Sequence, residues 1–321
     1  MSRPRKYVER VGAGGAICLR ADQAATGVVR VGGSGFNRVR EYRPVLLLEL
    51  RALVMHPDRG SEMRHEVRTD LCWPSEREVA AEVPIEVDAD QARRVLASVP
   101  FWFHTFALNR GLGLYTPGAA RDHGYRLASI PDSFAGLRVL DVGAFDGFYS
   151  FLAEARGARR VLAIDNEQYV HWVRDRWEVK LEGGEGFNAI HGLLGSEIEY
   201  QRTDASVLAG IGERFDFIFC FGILHRVEDP LGLLRVLVSR LAEGGRILIE
   251  TYGVRDNGGS EDGALRAPAP GAVYPHDRFV YWQFSSRALA NLAALTDCSS
   301  FELHATPIVD GHPRIIGTMS S

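Results

Sequence analysis

The chain has 321 residues, 46% of them hydrophobic and 24% charged, and a formal net charge of −4. At about 150 residues per domain that length holds one or two compact domains, and the apolar fraction is too high for a disordered chain. Its four cysteines (Cys18, Cys72, Cys220, Cys298) lie far apart with no CxxC pair and no histidine cluster, so neither a zinc site nor a disulfide framework is expected.

The opening MSRPRKYVER is basic but leads into no apolar run, and the greasiest stretch, Val45 to Met55, is broken by Glu49 and Arg51. Neither a signal peptide nor a membrane span is read, which makes the cytoplasm the expected compartment. Residues 1–43 carry nine Lys/Arg against three acids, an arm that suits either an anionic partner or a plain solvated surface.

In chain order, residues 15–90 read as short strands (AICLR, GVVRV, VLLLELRALVM, EMRHEVRTDLCW, VAAEVPIEV) separated by turn residues. They predict a small β-rich domain over 1–95. Asp90–Ser98 has the content of a short helix. PFWFHTFALNRGLGLYTPG follows, and residues 96–135 read as a linker or cap lying over the main domain. From 136 to 321 apolar strands alternate with amphipathic helices: RVLDVG, RRVLAID, EIEYQRTDA, FDFIFCFGIL and RILIETYG are the strands. That alternation predicts a parallel α/β sheet covered on both faces. Asp229-Pro230 marks a helix start, and Gly244-Gly245 is read as its end. CSSFELHATPIV and GHPRIIGTM predict an antiparallel finish. The long connection 253–284 is expected to be disordered in its first half and, from Tyr274 to Phe284, to form an aromatic lid.

The chemistry sits first in Val139-Leu140-Asp141-Val142-Gly143-Ala144-Phe145-Asp146-Gly147. A buried strand there delivers an acid and a glycine, and a second glycine follows at a helix start. Glycine lets backbone approach a ligand, and ligands of open α/β sheets bind at the carboxyl ends of strands. The spacing D-x-G-x-x-x-G is neither the dinucleotide fingerprint nor a P-loop. Asp165 ends the next strand, where a carboxylate can accept from two vicinal ribose hydroxyls. Thr203-Asp204 ends the third, where a carboxylate can accept from an adenine amine.

LDVGAFDG, Asp165, Asp204, FDFIFCFGILH and LAEGGRILIET together resemble the class I S-adenosylmethionine (SAM)-dependent methyltransferases, over roughly residues 100–320. The resemblance implies a Rossmann-like seven-stranded sheet with its last strand antiparallel, SAM as cofactor and S-adenosylhomocysteine (SAH) as product; no ligand cluster in the sequence demands a metal. It implies cofactor contacts from Asp141, Gly143, Phe145, Asp146 and Gly147, from Asp165 and Asn166, from Thr203, Asp204 and Ala205, and from Phe221 and Gly222. FHTFALNRGLGLYTPG, GAFDGFYSF and ILHRVEDPLGLLRVL are similar to a subgroup resembling the tRNA wobble-uridine carboxymethyl-group transferases. That subgroup typically has Tyr-His where this chain has His225-Arg226, and the departure points to plain methyl transfer.

Methyl transfer is an in-line displacement that needs alignment, exclusion of water and removal of one proton. His225, at the end of the fourth strand, is a candidate base, with a histidine bonded to loop backbone as the alternative; His104 is a second candidate, otherwise a packing residue. Trp172 and Trp177 have the spacing of core residues. Tyr115, Asp229, Glu250, Tyr252, Tyr281 and Trp282 are candidate acceptor contacts.

Two acceptors compete. One is the amine, or else the hydroxyl, of a polar small molecule such as an aminoglycoside or other amino-sugar natural product of antibiotic biosynthesis. Acids around the mouth (Glu228, Asp229, Glu250, Asp256, Glu261, Asp262) would draw in a cation. The other is tRNA, which net acidity and near-absent lysine disfavour. No membrane partner is expected, and a homodimer remains open.

Overall fold

The structure is a computed structural model, and it describes residues 73–120, 123–210, 212–255 and 261–321. The strands predicted before Trp73, the basic arm and Asp256 lie outside the described residues.

The described remainder of the predicted β-rich segment holds two helices and no strand. Ser75 and Glu78 form a capping box that starts α1 (Glu76–Ala80), and Asp88 caps α2 (Ala89–Ser98). VAAEVPIEV is therefore not a strand: Val79 and Ala80 finish α1, and Pro84, which lacks an N–H, interrupts the extended remainder. Val79, Val83, Ile85 and Ala92 pack into the same cluster as the sheet helices below. The cap then forms a hairpin, β1 (Ala107–Asn109) and β2 (Leu114–Tyr115), and a short helix, α3 (His123–Leu127).

Runs such as RVLDV and FDFIFCF show no polar alternation because both of their faces are buried. They form β3 (Arg138–Val142) and β6 (Phe215–Phe221), which pair in parallel. β4 (Arg160–Asp165) and β5 (Glu199–Arg202) extend the sheet beyond β3, and β7 (Leu241–Tyr252) extends it beyond β6. Two further strands, β10 (Ser300–Ala305) and β12 (His312–Ser320), complete the order β10-β12-β7-β6-β3-β4-β5, with β12 antiparallel to both neighbours. The two-residue β11 (Ile308–Val309) pairs onto β12. This is the Rossmann-like sheet with its final strand reversed that the sequence predicts. Strand order reverses between β3 and β6, so a crevice opens at their carboxyl ends.

Helices α4 (Phe148–Ala155) and α6 (Glu185–Leu194) cover one face through Phe148, Phe151, Phe187 and Ile190. Helices α7 (Pro230–Ser239) and α8 (Ser286–Leu295) cover the other through Leu234, Leu237 and Leu289. Helix α5 (Gln168–Trp177) carries a separate aromatic cluster. Asp229 caps α7 as expected, but the helix stops at Ser239. Gly244-Gly245 belongs instead to a bulge: Leu241 faces Phe215 and Arg246 faces Phe217, so the intervening residues loop out of the ladder. The 253–284 connection includes β8 (Leu265–Arg266) and β9 (Gln283–Phe284), paired antiparallel.

Gly147, at the start of α4, has φ +82°, and a Cβ there would lie 2.6 Å from the Phe187 ring. Both backbone and space demand glycine. Gly147→Ala is expected to lower stability by about 2 kcal/mol or more, read as a fall in the urea midpoint at unchanged m value.

Candidate active site

The turn after β3 is fixed by two carboxylates that accept backbone N–H groups. Asp165, at the end of β4, accepts from Phe145 N at 2.7 Å and Asn166 N at 3.0 Å. Asp146 accepts from Phe103 N at 2.8 Å and His104 N at 2.9 Å, and its other oxygen meets the His104 ring. Gly143 (φ +78°) and Phe145 (φ +57°) bend the chain, and the Ile223 side chain fills the space where a Gly143 Cβ would stand. Burial pushes the Asp165 carboxyl up to about 8 despite its two backbone donors.

Two cavities meet over this turn and share Gly143, Asp165, Asn166, Gln168, Ile223 and Arg226. The first is a cleft of about 510 Å³ that also takes in Thr203, Asp204, Ala205, Asp229 and Tyr281. Asp204 accepts from Ser206 N at 2.8 Å and Asn166 Nδ2 at 3.2 Å, and its carboxyl is held below the usual range chiefly by the Ser206 N–H. The second is a chamber of about 140 Å³ walled by rings, among them Phe103, Phe145, Tyr169, Trp172, Trp177 and Tyr274, and by Phe221, Gly222, His225 and Tyr252.

Several predicted site residues stand elsewhere. Asp141 is buried beneath the turn and takes a hydrogen bond from Ser150 Oγ at 2.6 Å; burial raises its carboxyl to about 6. Asp146 and Gly147 shape the turn without lining either cavity. His104 is enclosed by Asp146 and the rings of Phe148 and Tyr149, so it is a packing residue. Tyr115 lies on the β1–β2 hairpin beneath Arg77, outside both cavities. Trp282 donates Nε1 to Val227 O at 3.0 Å and lines neither cavity. Asp229 and Tyr281 face the cleft rather than the chamber.

Glu250 does not face an acceptor either. It is fully buried, receiving Tyr125 Oη at 2.9 Å, Arg126 Nη2 at 2.6 Å and Arg314 Nη1 at 3.1 Å. Both arginines then reach the chamber wall, Arg314 with its guanidinium 3.7 Å from the centre of the Tyr252 ring. A further arginine, Arg226, donates from both Nη atoms to Asp277, at 3.2 Å and 3.0 Å. Burial opposes ionisation of Asp277, but Arg226, the Trp172 indole N–H and Phe279 N prevail and hold its carboxyl below the usual range. The predicted lid segment is thus pinned through Asp277 to α5 and to the turn after β6.

His225 is buried beside this cationic wall. Nδ1 lies 3.1 Å from Thr251 Oγ1, while Nε2 has no hydrogen-bond partner. Burial first, then the fields of Arg226, Arg314 and Arg126, push the imidazole well below its ordinary pKa of 6.5. It is therefore neutral at physiological pH.

Sequence reading missed the arginines and took two of the tryptophans for core. Trp172 and Trp177 do pack at helical spacing, but their cluster opens onto the chamber. The available signal was Arg314, a lone charge in the otherwise apolar strand PRIIGTM. Arg126, in contrast, is unremarkable within HGYRL.

A glycine turn after the central strand, an acid ending the next strand and a cleft spanning both are the parts from which open α/β folds build a ligand site at their strand ends. Residues 115–300 match the methyltransferase domain family, and the chain belongs to it. It is a SAM-dependent methyltransferase. A tRNA U34 carboxymethyltransferase of Campylobacter hominis is 27% identical over 175 residues, 54% of this chain and 55% of that protein. A ubiquinone biosynthesis O-methyltransferase of Dinoroseobacter shibae is 30% identical over 176 residues, 51% of this chain and 64% of that protein. The chain spans about half the length of the tRNA-modifying relatives it matches. The N-terminal domain of EvdMO1 with SAH bound shares the fold at 17% identity and a TM-score of 0.52, over 74% of this chain and 98% of that one. No helix among the described residues is long and apolar enough to cross a membrane.

Removing one partner of a buried ion pair strands the other charge. Glu250→Gln keeps the shape but leaves Arg126 and Arg314 without their shared carboxylate, and is expected to cost about 3–5 kcal/mol in urea unfolding.

Proposed function

We propose that the chain methylates an amine or hydroxyl of a small polar molecule held in the aromatic chamber, with the cofactor's nucleoside in the adjoining cleft. SAM, when bound, supplies an activated methyl group on a sulfonium. In this reading Asp165 accepts from the ribose hydroxyls, Asn166, Thr203, Asp204 and Ala205 surround the adenine, and the chain of the cofactor passes Gly143 at the junction of the two cavities. Phe221 and Gly222 stand on the chamber side, where the methyl must be delivered.

The observation that carries the reading is the chamber's size. About 140 Å³ is close to the volume that takes up a single benzene-sized ring. One ring or sugar unit fits and a larger molecule would present only one unit. His225 stands in the chamber wall as a neutral imidazole whose buried Nε2 makes no hydrogen bond, and in this reading that nitrogen takes the acceptor's proton. The acids expected to attract a cationic aminoglycoside do not support that choice of acceptor. Glu250 is locked by arginines, Glu228 and Asp229 face the cofactor cleft, and Glu261 and Asp262 lie in the exposed connection. N-methylation of an amino sugar remains a member of the class, without electrostatic help from those residues.

The curated tRNA-modifying relatives favour the second reading, in which one uracil ring enters the same chamber. Incubation with labelled SAM and either bulk tRNA or a panel of hydroxylated and aminated ring compounds separates the two. Label in a product of unchanged ring size plus 14 daltons supports the first reading, and label retained on tRNA overturns it. With an acceptor in hand, His225→Ala is expected to lower turnover about 100-fold with little change in cofactor affinity. Because the histidine's pKa lies well below 6.5, it stays in its basic form as pH falls from 8 to 6, and turnover should show no loss centred near 6.5. Asp165→Ala is expected to weaken SAH binding by about 1–3 kcal/mol in calorimetry.

A further inference from the structure

The charge of the chamber wall bears on what kind of ring it takes. Four guanidinium groups line it, from Arg126, Arg176, Arg226 and Arg314. Three are backed by buried carboxylates, since Arg226 lies on Asp277 and Arg126 and Arg314 share Glu250. Arg176, near the end of α5, has no carboxylate partner among the described residues. Its guanidinium lies over rings instead, 4.3 Å from the centre of Tyr274 and 4.8 Å from that of Trp177. It is half-buried, so its N–H donors are partly withdrawn from water without an acceptor in exchange. Of the carboxylates on the wall, Asp165 stands at the junction with the cofactor cleft and Asp310 is an exposed rim residue.

An aromatic cage with open ring faces suits a cation. Here three of the rings already carry the protein's own cations: Arg176 lies over Tyr274 and Trp177, and Arg226 lies 4.7 Å from the centre of Trp172. A positively charged acceptor would meet the repulsive field of four guanidinium groups. An anionic group would meet a guanidinium whose donors are unused, in a partly desolvated setting where charge-assisted hydrogen bonds are strong.

We propose that the acceptor is a single ring bearing a carboxylate or a phosphate, with Arg176 as the residue that binds the anion and so selects the substrate. The ring lies among Phe103, Tyr169 and Trp172, and the anionic group is directed toward the α5 end of the chamber. This rests on the small-molecule reading of the preceding section and narrows it to a charge class.

Benzoate, benzamide and benzamidine have one shape and three charges, and phenyl phosphate tests the second anion. Each is titrated into the SAH complex of the full chain, with binding read from the fluorescence of the chamber tryptophans and confirmed by calorimetry. One or both anions are expected to bind about tenfold more tightly than benzamide, and benzamidine more weakly than benzamide. Whichever anion binds better identifies the group carried. Arg176→Gln should reduce the anion to the level of benzamide while SAH affinity holds, and Arg176→Lys should retain part of the preference. Benzamidine binding as tightly as the anions would overturn the proposal. So would an Arg176→Gln variant that keeps the wild-type order. If none of the four compounds binds at about 10 mM, where ligands of this size should be seen, the chamber is not a ring site and the small-molecule reading itself falls.

Discussion

Glu250 is the constraint on which the rest of the site depends. It sits in the middle of the sheet near the end of β7, fully buried, and collects Tyr125 and Arg126 from the cap and Arg314 from β12. Transferring a carboxylate and two guanidinium groups from water is costly, and such a cluster is rarely a stabilising bargain against an apolar core. What it provides is position. Arg126 can reach the chamber only if α3 lies against the sheet, and Arg314 only if the antiparallel β12 is in register with β7. The pairing of Arg314 with Tyr252 and of Ile316 with Glu250 sets that register. One carboxylate therefore couples the cap, the last strand and the chamber wall.

A second carboxylate performs the same service on the other side. Asp277 draws the Trp172 indole, Arg226 and the backbone of Phe279 together, which fixes the aromatic segment over α5. The segment read from sequence as a lid is thus part of the wall, held by a buried ionic contact. Asp146 completes the set by gripping the backbone at Phe103 and His104. In each case an acid that could be mistaken for a catalytic group organises backbone or arginines around a space. Among the predicted acids, Asp165, Asp204, Glu228 and Asp229 do line the cleft.

That distinction explains how much of the molecule was legible in the sequence. The sheet could be read because doubly buried strands leave uninterrupted apolar runs, and the turn after β3 because Gly143 and Gly147 combine left-handed φ with side chains packed where a Cβ would stand. The cofactor side follows from the sheet, since strand ends fall where the fold puts them: Gly143, Asp165, Asn166, Thr203, Asp204 and Ala205 all line the cleft. The chamber is assembled from α3, α5, the β8–β9 connection and β12, which approach one another only in three dimensions. No local spacing reveals that Arg314 and Arg126 meet on Glu250. VAAEVPIEV misled for a different reason. Its alternation is real, with Val79, Val83 and Ile85 buried, but a capping box upstream and Pro84 within it override the pattern.

In the proposed reaction the arginine wall also changes what the general base must do. A neutral imidazole with a depressed pKa is a weak base, which at first sight suits His225 poorly to accept a proton. The same positive field, however, acts on the acceptor. A hydroxyl or ammonium placed near those guanidinium groups loses its proton more readily, and each unit by which its pKa falls is worth about 1.4 kcal/mol of proton transfer. The field that weakens the base thus lowers the demand on it. It does so most effectively for an acceptor whose own anionic group is engaged by Arg176, because that contact holds the ring in the chamber while the buried arginines act on the atom to be methylated.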